Sequence, residues 1–483
     1  MADADKIKKK SVRDVLHDMR EEGIRFLDLK FVDVFGTLQH ITVPAEVVDE
    51  KALNFGFSFD GSSVRGFKTI SEADMILRPD PSSVFKDPFF DEPAFSMFGD
   101  VIDPIRYKPY RRDPRGVAQR AERLIRSLGI ADNAFFGPEI EFYVFDEVRF
   151  DQSTQHGFYF VNSESAFWNT GQGDQKAANL GSRLPRKRGY FASPPGDRYH
   201  NLRSKMSDVL RSVGVMTELH HHEVGAPGQQ EIGFRFGPLM EQADRAIKYK
   251  YVVKNTARRY DKSVTFMPKP LFEEAGSGMH VNLSLWKDGE NLFYEQGRYG
   301  DISELATHFI GGLLKHAPAL CAFTNPSTNS YRRLVPGYEA PINLVYSSRN
   351  RSACVRVPMA TASPKQKRIE YRTPDPASNP YLAFAAILMA GIDGILNGIE
   401  PDAPVDENIY ELAKTDRGRA IRSTPRSLEM AIDALERDHE FLLRDDVFPS
   451  DLIEIWIAAK REQEINYINL RPHPSEFSLY FDV

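Results

Sequence analysis

Cysteine is scarce: Cys321 and Cys354 are the only two in 483 residues, and they lie in unrelated segments. Neither a disulfide framework nor a cysteine-type metal centre can be built from them, so a reduced, cytoplasmic setting is expected. Long apolar runs are missing too. No uninterrupted stretch approaches the ~18–20 residues that span a bilayer, and the opening MADADKIKKKSVRDVL lacks the apolar core of a secretory leader. Neither sign of charge dominates, since 62 Lys and Arg stand against 68 Asp and Glu, for a net charge of −6. A nucleic-acid partner attracted by bulk charge is thereby disfavoured. There is no G-x-x-x-x-G-K-[ST] loop and no G-x-G-x-x-G opening a helix, so any nucleotide must be held by a less common arrangement. What is present, 41% hydrophobic and 27% charged residues, describes an ordinary globular chain long enough for two domains.

The segment FFGPEIEFYVF places Glu139 and Glu141 in an aromatic and β-branched run that reads as a buried strand. Side chains two apart on a strand share a face, roughly 6.5–7 Å from one another. Two like charges at that distance repel by about 2–2.5 kcal/mol at an effective dielectric near 20. Unless this face is exposed, one carboxylate is protonated, a base pairs with them, or a divalent cation sits between them.

Around this strand the chain reads as a mixture of hairpins and helices. Val12, Val15, Leu16 and Met19 share a helical face ending at Gly23, and FLDLKFVDVFGTLQHITVP reads as a hairpin turning at Phe35-Gly36. The proline-rich stretch from Pro79 to Pro114 suggests an irregular passage between domains, followed by a helix over 115–128. Residues 151–189 resemble a long polar surface excursion. Helical patterns recur over 204–213, 239–260, 302–316 and 381–397. The expectation is an α+β chain rather than a regular βαβ one.

Further acidic and basic groups gather in specific motifs. MTELHHHEVGAPGQQEIGFRF reads as strand, Gly/Pro turn, strand, which would bring Glu223 and Glu231 together across a hairpin. Alternation sends His221 to the face opposite His220 and His222; packing or support of ligands is the expected role of these histidines. In GSGMHVNLSLW, His280, Asn282 and Ser284 share one face. In KRIEYRTPDP, Glu370 lies between Arg368 and Arg372, either a salt-bridge ladder or a metal ligand beside two phosphate-binding guanidiniums. Several carboxylate oxygens with one imidazole suit magnesium or manganese better than zinc. Arg332, Arg333, Arg349, Arg351 and Arg356 add forks suited to a polyphosphate and a carboxylate. Spacing alone leads to a metal-dependent phosphoryl-transfer enzyme with a carboxylate substrate.

In their order, FDGSSVRGF, GPEIEF, HHHEVGAPGQQE, YKYVVKN, TFMPKP, GSGMH, NPSTNSYRRLVPGYEAP, RNRSACVRVP, RIEYRTPDPASNPYLAFAA and HPSEF resemble bacterial type I glutamine synthetase over nearly the whole chain. The resemblance implies a small N-terminal β-grasp domain, residues 1–112, and a catalytic domain, residues 113–483, with a mainly antiparallel curved sheet and surrounding helices. It implies that Glu141, Glu223 and Glu231 hold one divalent ion, and Glu139, His280 and Glu370 a second. Arg333, Arg351 and Gly276 would bind glutamate or the transferring phosphate, and Arg356, Arg368 and Arg372 the phosphates. Lys365 and Ser284 would lie on the nucleotide side. Asp60 would reach the ammonium site of a neighbouring subunit, and Glu339 would close the site.

The reaction so implied is two-step: ATP phosphorylates the side-chain carboxylate of glutamate, and ammonia then displaces phosphate to give glutamine. Two positions depart from the family's pattern, Ala275 where Asn is frequent and Asn282 where many bacterial members have His. Tyr410 falls where the regulated subtype is adenylylated, which implies a possible modifying enzyme. Two stacked hexameric rings would form the assembly. A related ligase joining glutamate to a polyamine or another amine is the nearest alternative, and a non-catalytic structural homologue a more distant one; retention of Asp60 and of the RRLVPGYEAP flap favours ammonia, and that of all five metal-binding glutamates favours catalysis.

Overall fold

A computed structural model describes all residues except 1–8, 69–72, 172, 174–178, 337–339, 360–362, 408–411 and 413–414. The chain begins with helix α1 (Val12–Glu21), started by a capping box in which Ser11 and Asp14 satisfy each other's backbone amides and burying Val15 and Met19. Strands β1 (Phe26–Val32) and β2 (Leu38–Pro44) form the expected hairpin. Helix α2 (Glu50–Phe55) leads to β3 (Phe57–Asp60), β4 (Asp74–Pro79), β5 (Phe85–Lys86), β6 (Ala94–Asp103) and β7 (Lys108–Pro109). The sheet runs β2-β1-β6-β4-β3, with β1 and β6 parallel.

The proline-rich stretch is thus not an irregular passage. Between its prolines lies β6, ten residues long and largely buried at the centre of this sheet. Its prolines fall at strand ends and in the intervening turns, where no ladder amide is required.

The second sheet follows helix α3 (Pro114–Ser127) and opens with the long strand β8 (Asn133–Phe145). An exposed hairpin, β9 (Glu147–Gln152) and β10 (Gly157–Asn162), begins the expected surface excursion, although Ser163, Ser165 and Asn169 just beyond it are buried. After α4 (His200–Ser212) come β11 (Thr217–His222), β12 (Gln229–Phe234), β13 (Gly237–Pro238), α5 (Leu239–Arg258), β14 (Ser263–Thr265), β15 (Met279–Lys287) and β16 (Glu290–Asn291). Beyond α6 (Glu304–Thr324) and α7 (Ser330–Arg333), strands β17 (Asn343–Ser347), β18 (Ala353–Arg356) and β19 (Ile369–Tyr371) complete the sheet, in the order β11-β12-β8-β15-β19-β18-β17. Pairing is antiparallel except between β17 and β18.

Helix α8 (Pro380–Leu396) is almost wholly buried and packs on α6. The sequence pattern ended α6 near His316, but it continues through Pro318. A proline cannot donate to the carbonyl four residues back; here Arg422 donates to that carbonyl, on Leu314, at 3.3 Å instead. Among the described residues no helix is long and apolar enough to cross a membrane.

Candidate active site

Strand β8 is the spine of the site. Its register sets Glu139 opposite His280 on β15 and Glu141 opposite Glu231 on β12. On the β15 side, β19 brings Glu370 opposite Asn282. His280 Nδ1 then lies 3.5 Å from Glu139 Oε2 and 3.5 Å from Glu370 Oε1. Arg356 and Arg372 hold Glu370 from both sides, at 2.7 and 2.5 Å. Burial, reinforced by Arg372, drives the His280 imidazole well below its ordinary range, so the ring is neutral and keeps a lone pair for a cation.

Glu141, in contrast to the half-buried Glu139, is buried. Its Oε2 accepts from the Gly278 amide at 2.9 Å and from Gln229 Nε2 at 3.0 Å. Burial nonetheless pushes its carboxyl up to about 7, and that of Glu223 up to about 8, with Glu141 as the next contributor. Glu231 is likewise raised well above its ordinary range, by burial and then by Glu139. Possible ligand atoms of His221, Glu223 and Glu231 lie within 4.8 Å of one another, whereas Glu141 borders this group without joining it. His221 Nδ1 is 3.4 Å from Glu223 Oε1, and its Nε2 is 3.9 Å from Glu231 Oε1. The alternation read from the hairpin holds: His220 turns instead to Arg203 and Ser204, and His222 is buried against the Glu223 carbonyl.

The arginines converge on the same region. Arg333 is 7% exposed and donates to the backbone carbonyls of Thr373 and Arg372, at 2.8 and 3.2 Å. Glycine is required beside it: a Cβ on Gly278 would stand 2.6 Å from the Arg333 guanidinium, and one on Gly276 would stand 2.7 Å from its Cγ. Arg368 Nε donates to Asn282 Oδ1 at 2.9 Å. Arg351 is exposed on the turn between β17 and β18, and its charge acts on both Tyr190 and Glu223.

Other expected residues lie at the margins. Ser284 is buried and accepts from the Trp286 indole at 3.0 Å, and Lys365 is exposed on the turn before β19. Asp60 stands at the exposed end of β3, its carboxylate engaged by Ser62 and Ser63 rather than by any metal-binding candidate. Glu339 and Tyr410 lie outside the described residues. Ala275 contributes its backbone carbonyl, which accepts from the Tyr143 hydroxyl at 2.6 Å.

Three features were not singled out from the sequence. Gln229 ties Glu141 to the Gly276 carbonyl, at 3.0 and 3.1 Å. His221 enters the acidic cluster itself. Tyr190 and Phe191 stack at 4.1 Å, and both meet the His221 ring edge-on. Gln229 could have been found from its place two residues before Glu231, on the same strand face; the aromatic pair lies just beyond the segment read as polar and carried no periodic signal.

The donor set fits hard divalent cations. Its members are carboxylate oxygens with neutral imidazole nitrogen, and several carboxyls resist ionising together in the absence of a compensating charge.

Similarity to known proteins agrees with this architecture. The family described as glutamine synthetase, catalytic domain, matches residues 111–480, and that described as glutamine synthetase, beta-Grasp domain, matches residues 23–104. A glutamine synthetase of Frankia alni is 53% identical over 97% of this chain and 99% of its own length. One from Mycolicibacterium smegmatis is 52% identical, over 98% and 99% respectively. Among solved structures, Plasmodium falciparum glutamine synthetase superposes with a TM-score of 0.90 at 27% identity, covering 98% of this chain and 99% of the other. With its β-grasp domain, its large catalytic sheet and relatives matched along nearly their entire length, the chain belongs to the glutamine synthetase family.

Proposed function

We propose that this site carries the ATP-dependent ligation of ammonia to L-glutamate through a γ-glutamyl phosphate, with glutamine, ADP and phosphate as products. The observation that carries it is the paired register on β8, which sets one acidic cluster on each side of the same strand. Glu139, His280 and Glu370 would hold one magnesium or manganese ion, and Glu141, Glu223 and Glu231 the other. When bound, these ions neutralise phosphate charge and align the transferring group.

The remaining steps belong to side chains. Arg356, Arg368 and Arg372 receive the phosphates of ATP, with Ser284 and Lys365 on the nucleotide side. Arg333 and Arg351, with the backbone at Gly276, orient glutamate so that its side-chain carboxylate meets the γ-phosphate. Asp60 of a neighbouring chain binds ammonium and accepts its proton, since only free ammonia can attack the acyl phosphate. Its exposure at the end of β3 supports a role toward another chain. Glu339 shields the intermediate from water.

The finer assignments complete the reading: two units dividing at 112/113, a dodecamer of two hexameric rings, a cytoplasmic setting, and adenylylation of Tyr410 by a dedicated enzyme. The division is supported by Asp113, which caps α3 just after the first sheet ends. ADP release measured with ammonium, putrescine and ethanolamine in parallel tests the substrate. Turnover with ammonium in preference to both amines is expected. A rate with an organic amine and none with ammonium sinks the proposal. Intact-mass measurement of protein from nitrogen-rich cells tests the modification, one added AMP per chain being expected.

A further inference from the structure

The turn that presents Arg351 has no regular structure of its own, yet the amides of Ser348, Arg349 and Asn350 that lead into it are accounted for. Ser347, the last residue of β17, accepts at its hydroxyl from the amides of Arg349 at 3.1 Å and Asn350 at 2.9 Å. A hydroxyl has one proton to donate and two lone pairs to receive. With both lone pairs facing amides, the proton is free for one acceptor, and that acceptor is Asp406 Oδ1 at 2.7 Å. The same carboxylate oxygen accepts from the Tyr299 hydroxyl at 2.6 Å and lies 3.3 Å from the Ser348 amide. Tyr299 in turn accepts from the Ser348 amide at 2.7 Å. One residue on, the Glu407 carbonyl accepts from Asn350 Nδ2 at 3.0 Å, while Asn350 Oδ1 accepts from the Ser352 amide at 2.9 Å.

Four consecutive residues of the turn, from Ser347 to Asn350, therefore make contact with Asp406, with Glu407 or with a group that Asp406 fixes. The 405–407 segment is itself docked: the Val405 amide donates to the Tyr346 carbonyl at 3.0 Å, and its side chain packs with Val345, Ala353 and Leu412. The charge of Arg349 also acts on Asp406. Asp406 is exposed, so burial of a carbon surface does not explain its placement. Its contacts are directed to the polar frame of a turn whose next residue is Arg351.

We propose that Asp406 is a positioning residue for glutamate binding: its carboxylate locks the Ser347 hydroxyl and the Tyr299 phenol so that the 347–350 turn delivers Arg351 to the substrate. This rests on Arg351 binding glutamate, as in the proposed function. Asp406→Ala leaves the Ser347 hydroxyl free to rotate and releases both amides it receives. Asp406→Asn keeps an acceptor oxygen in the same place.

Steady-state kinetics of the full-length chain with glutamate, ATP and ammonium test it, in wild type, Asp406→Ala, Asp406→Asn, Arg351→Ala and the double variant Asp406→Ala/Arg351→Ala. KM for glutamate is expected to rise about tenfold in Asp406→Ala, equivalent to ~1.4 kcal/mol of lost binding. KM for ATP should stay within about twofold of wild type, and Asp406→Asn should recover most of the loss. The double variant should be no worse than Arg351→Ala, because a residue acting through Arg351 has nothing further to remove. Additive losses, a parallel rise in KM for ATP, or an Asp406→Ala enzyme with unchanged glutamate KM would each overturn the positioning role. An Arg351→Ala enzyme with normal glutamate KM would instead overturn the underlying assignment of Arg351. Ser347→Ala provides a second route if Asp406→Ala does not fold; it should reproduce the glutamate-specific loss, and normal glutamate affinity there would also overturn the proposal.

Discussion

Asn282 donates its side-chain amide to Glu139 Oε1 at 2.8 Å, while its carbonyl oxygen accepts from Arg368. One neutral side chain thus bridges a carboxylate assigned to the metal and a guanidinium assigned to phosphate, where a histidine is expected from the family's pattern. An amide supplies donor and acceptor together without adding charge. Asn282→Ala should weaken both neighbours. A loss of about tenfold or more in manganese affinity is expected, in line with the ~10–100-fold cost of removing groups that orient metal ligands. Calorimetric titration of manganese into the metal-free protein measures it directly; an unchanged dissociation constant would show that Glu139 needs no such support.

The raised carboxyls make stability depend on pH in a definite direction. Glu141 and Glu223 titrate at about 7 and about 8 in the folded chain, against 4.5 ordinarily. A carboxyl raised on folding favours the native state fully below its unfolded value, and this contribution is lost as pH rises through the folded value. Buried Lys248 and Lys250, lowered to about 8 and about 7, pull the other way, so the carboxyl contribution is read against a Glu141→Gln/Glu223→Gln variant. Between about pH 6 and about pH 9 the metal-free wild type should lose more melting temperature than the variant, and saturating magnesium should reduce the difference. Differential scanning fluorimetry at the two pH values, with and without magnesium, gives the comparison. A wild-type loss no larger than the variant's would contradict the raised carboxyls.

The site was legible where carboxylates occupied runs otherwise too apolar to hold them. Glu139 and Glu141 were marked by charge on a buried strand, and the GAPG turn paired Glu223 with Glu231, whose ligand atoms lie together. Periodicity does not order strands within a sheet, so the approach of Glu370 to His280 depends on β15–β19 pairing between segments some ninety residues apart in sequence. The position of β6 was hidden for a related reason. Proline density was read as an irregular passage between domains, although the prolines lie outside the strand and its interior, AFSMFGDVID, carries the β pattern. The continuation of α6 from His316 to Thr324 was missed because Arg422, far along the chain, satisfies the carbonyl that Pro318 leaves open.

Arg115 makes a different kind of contact, between the two sheets. It reaches Asp80 and Asp100 from the first sheet's region and Asp244 on α5, the last at 3.0 Å, while Tyr381 at the start of α8 donates to Asp244. The guanidinium is 5% exposed, so deleting it would leave carboxylates with little water to replace it. Arg115→Ala should cost about 3–5 kcal/mol, the usual range when one partner of a buried ionic group is removed. Chemical denaturation followed by tryptophan fluorescence measures the loss. A change below about 1 kcal/mol would mean that the cluster is solvated once opened and contributes little to docking.

The two glutamates of β8 should respond differently to neutralisation, because only one is shared with backbone. Glu141 accepts from the Gly278 amide and from Gln229, whereas Glu139 is reached by Asn282 and His280. Glu141→Ala removes a proposed ligand and also frees the Gly278 amide, two residues before His280 on the adjoining strand, so both clusters are disturbed. Turnover should fall by more than the ~10–100-fold that loss of an outer support costs. Glu141→Gln retains an oxygen for Gly278 and removes the charge; it should keep the β8–β15 geometry while losing affinity for the ion beside Glu223. Binding isotherms would then separate the pair: Glu139→Gln weakens the site containing His280, and Glu141→Gln the site containing Glu223. If both variants lost the same single ion, the two-cluster assignment would fail, and Glu139 and Glu141 would have to share one cation.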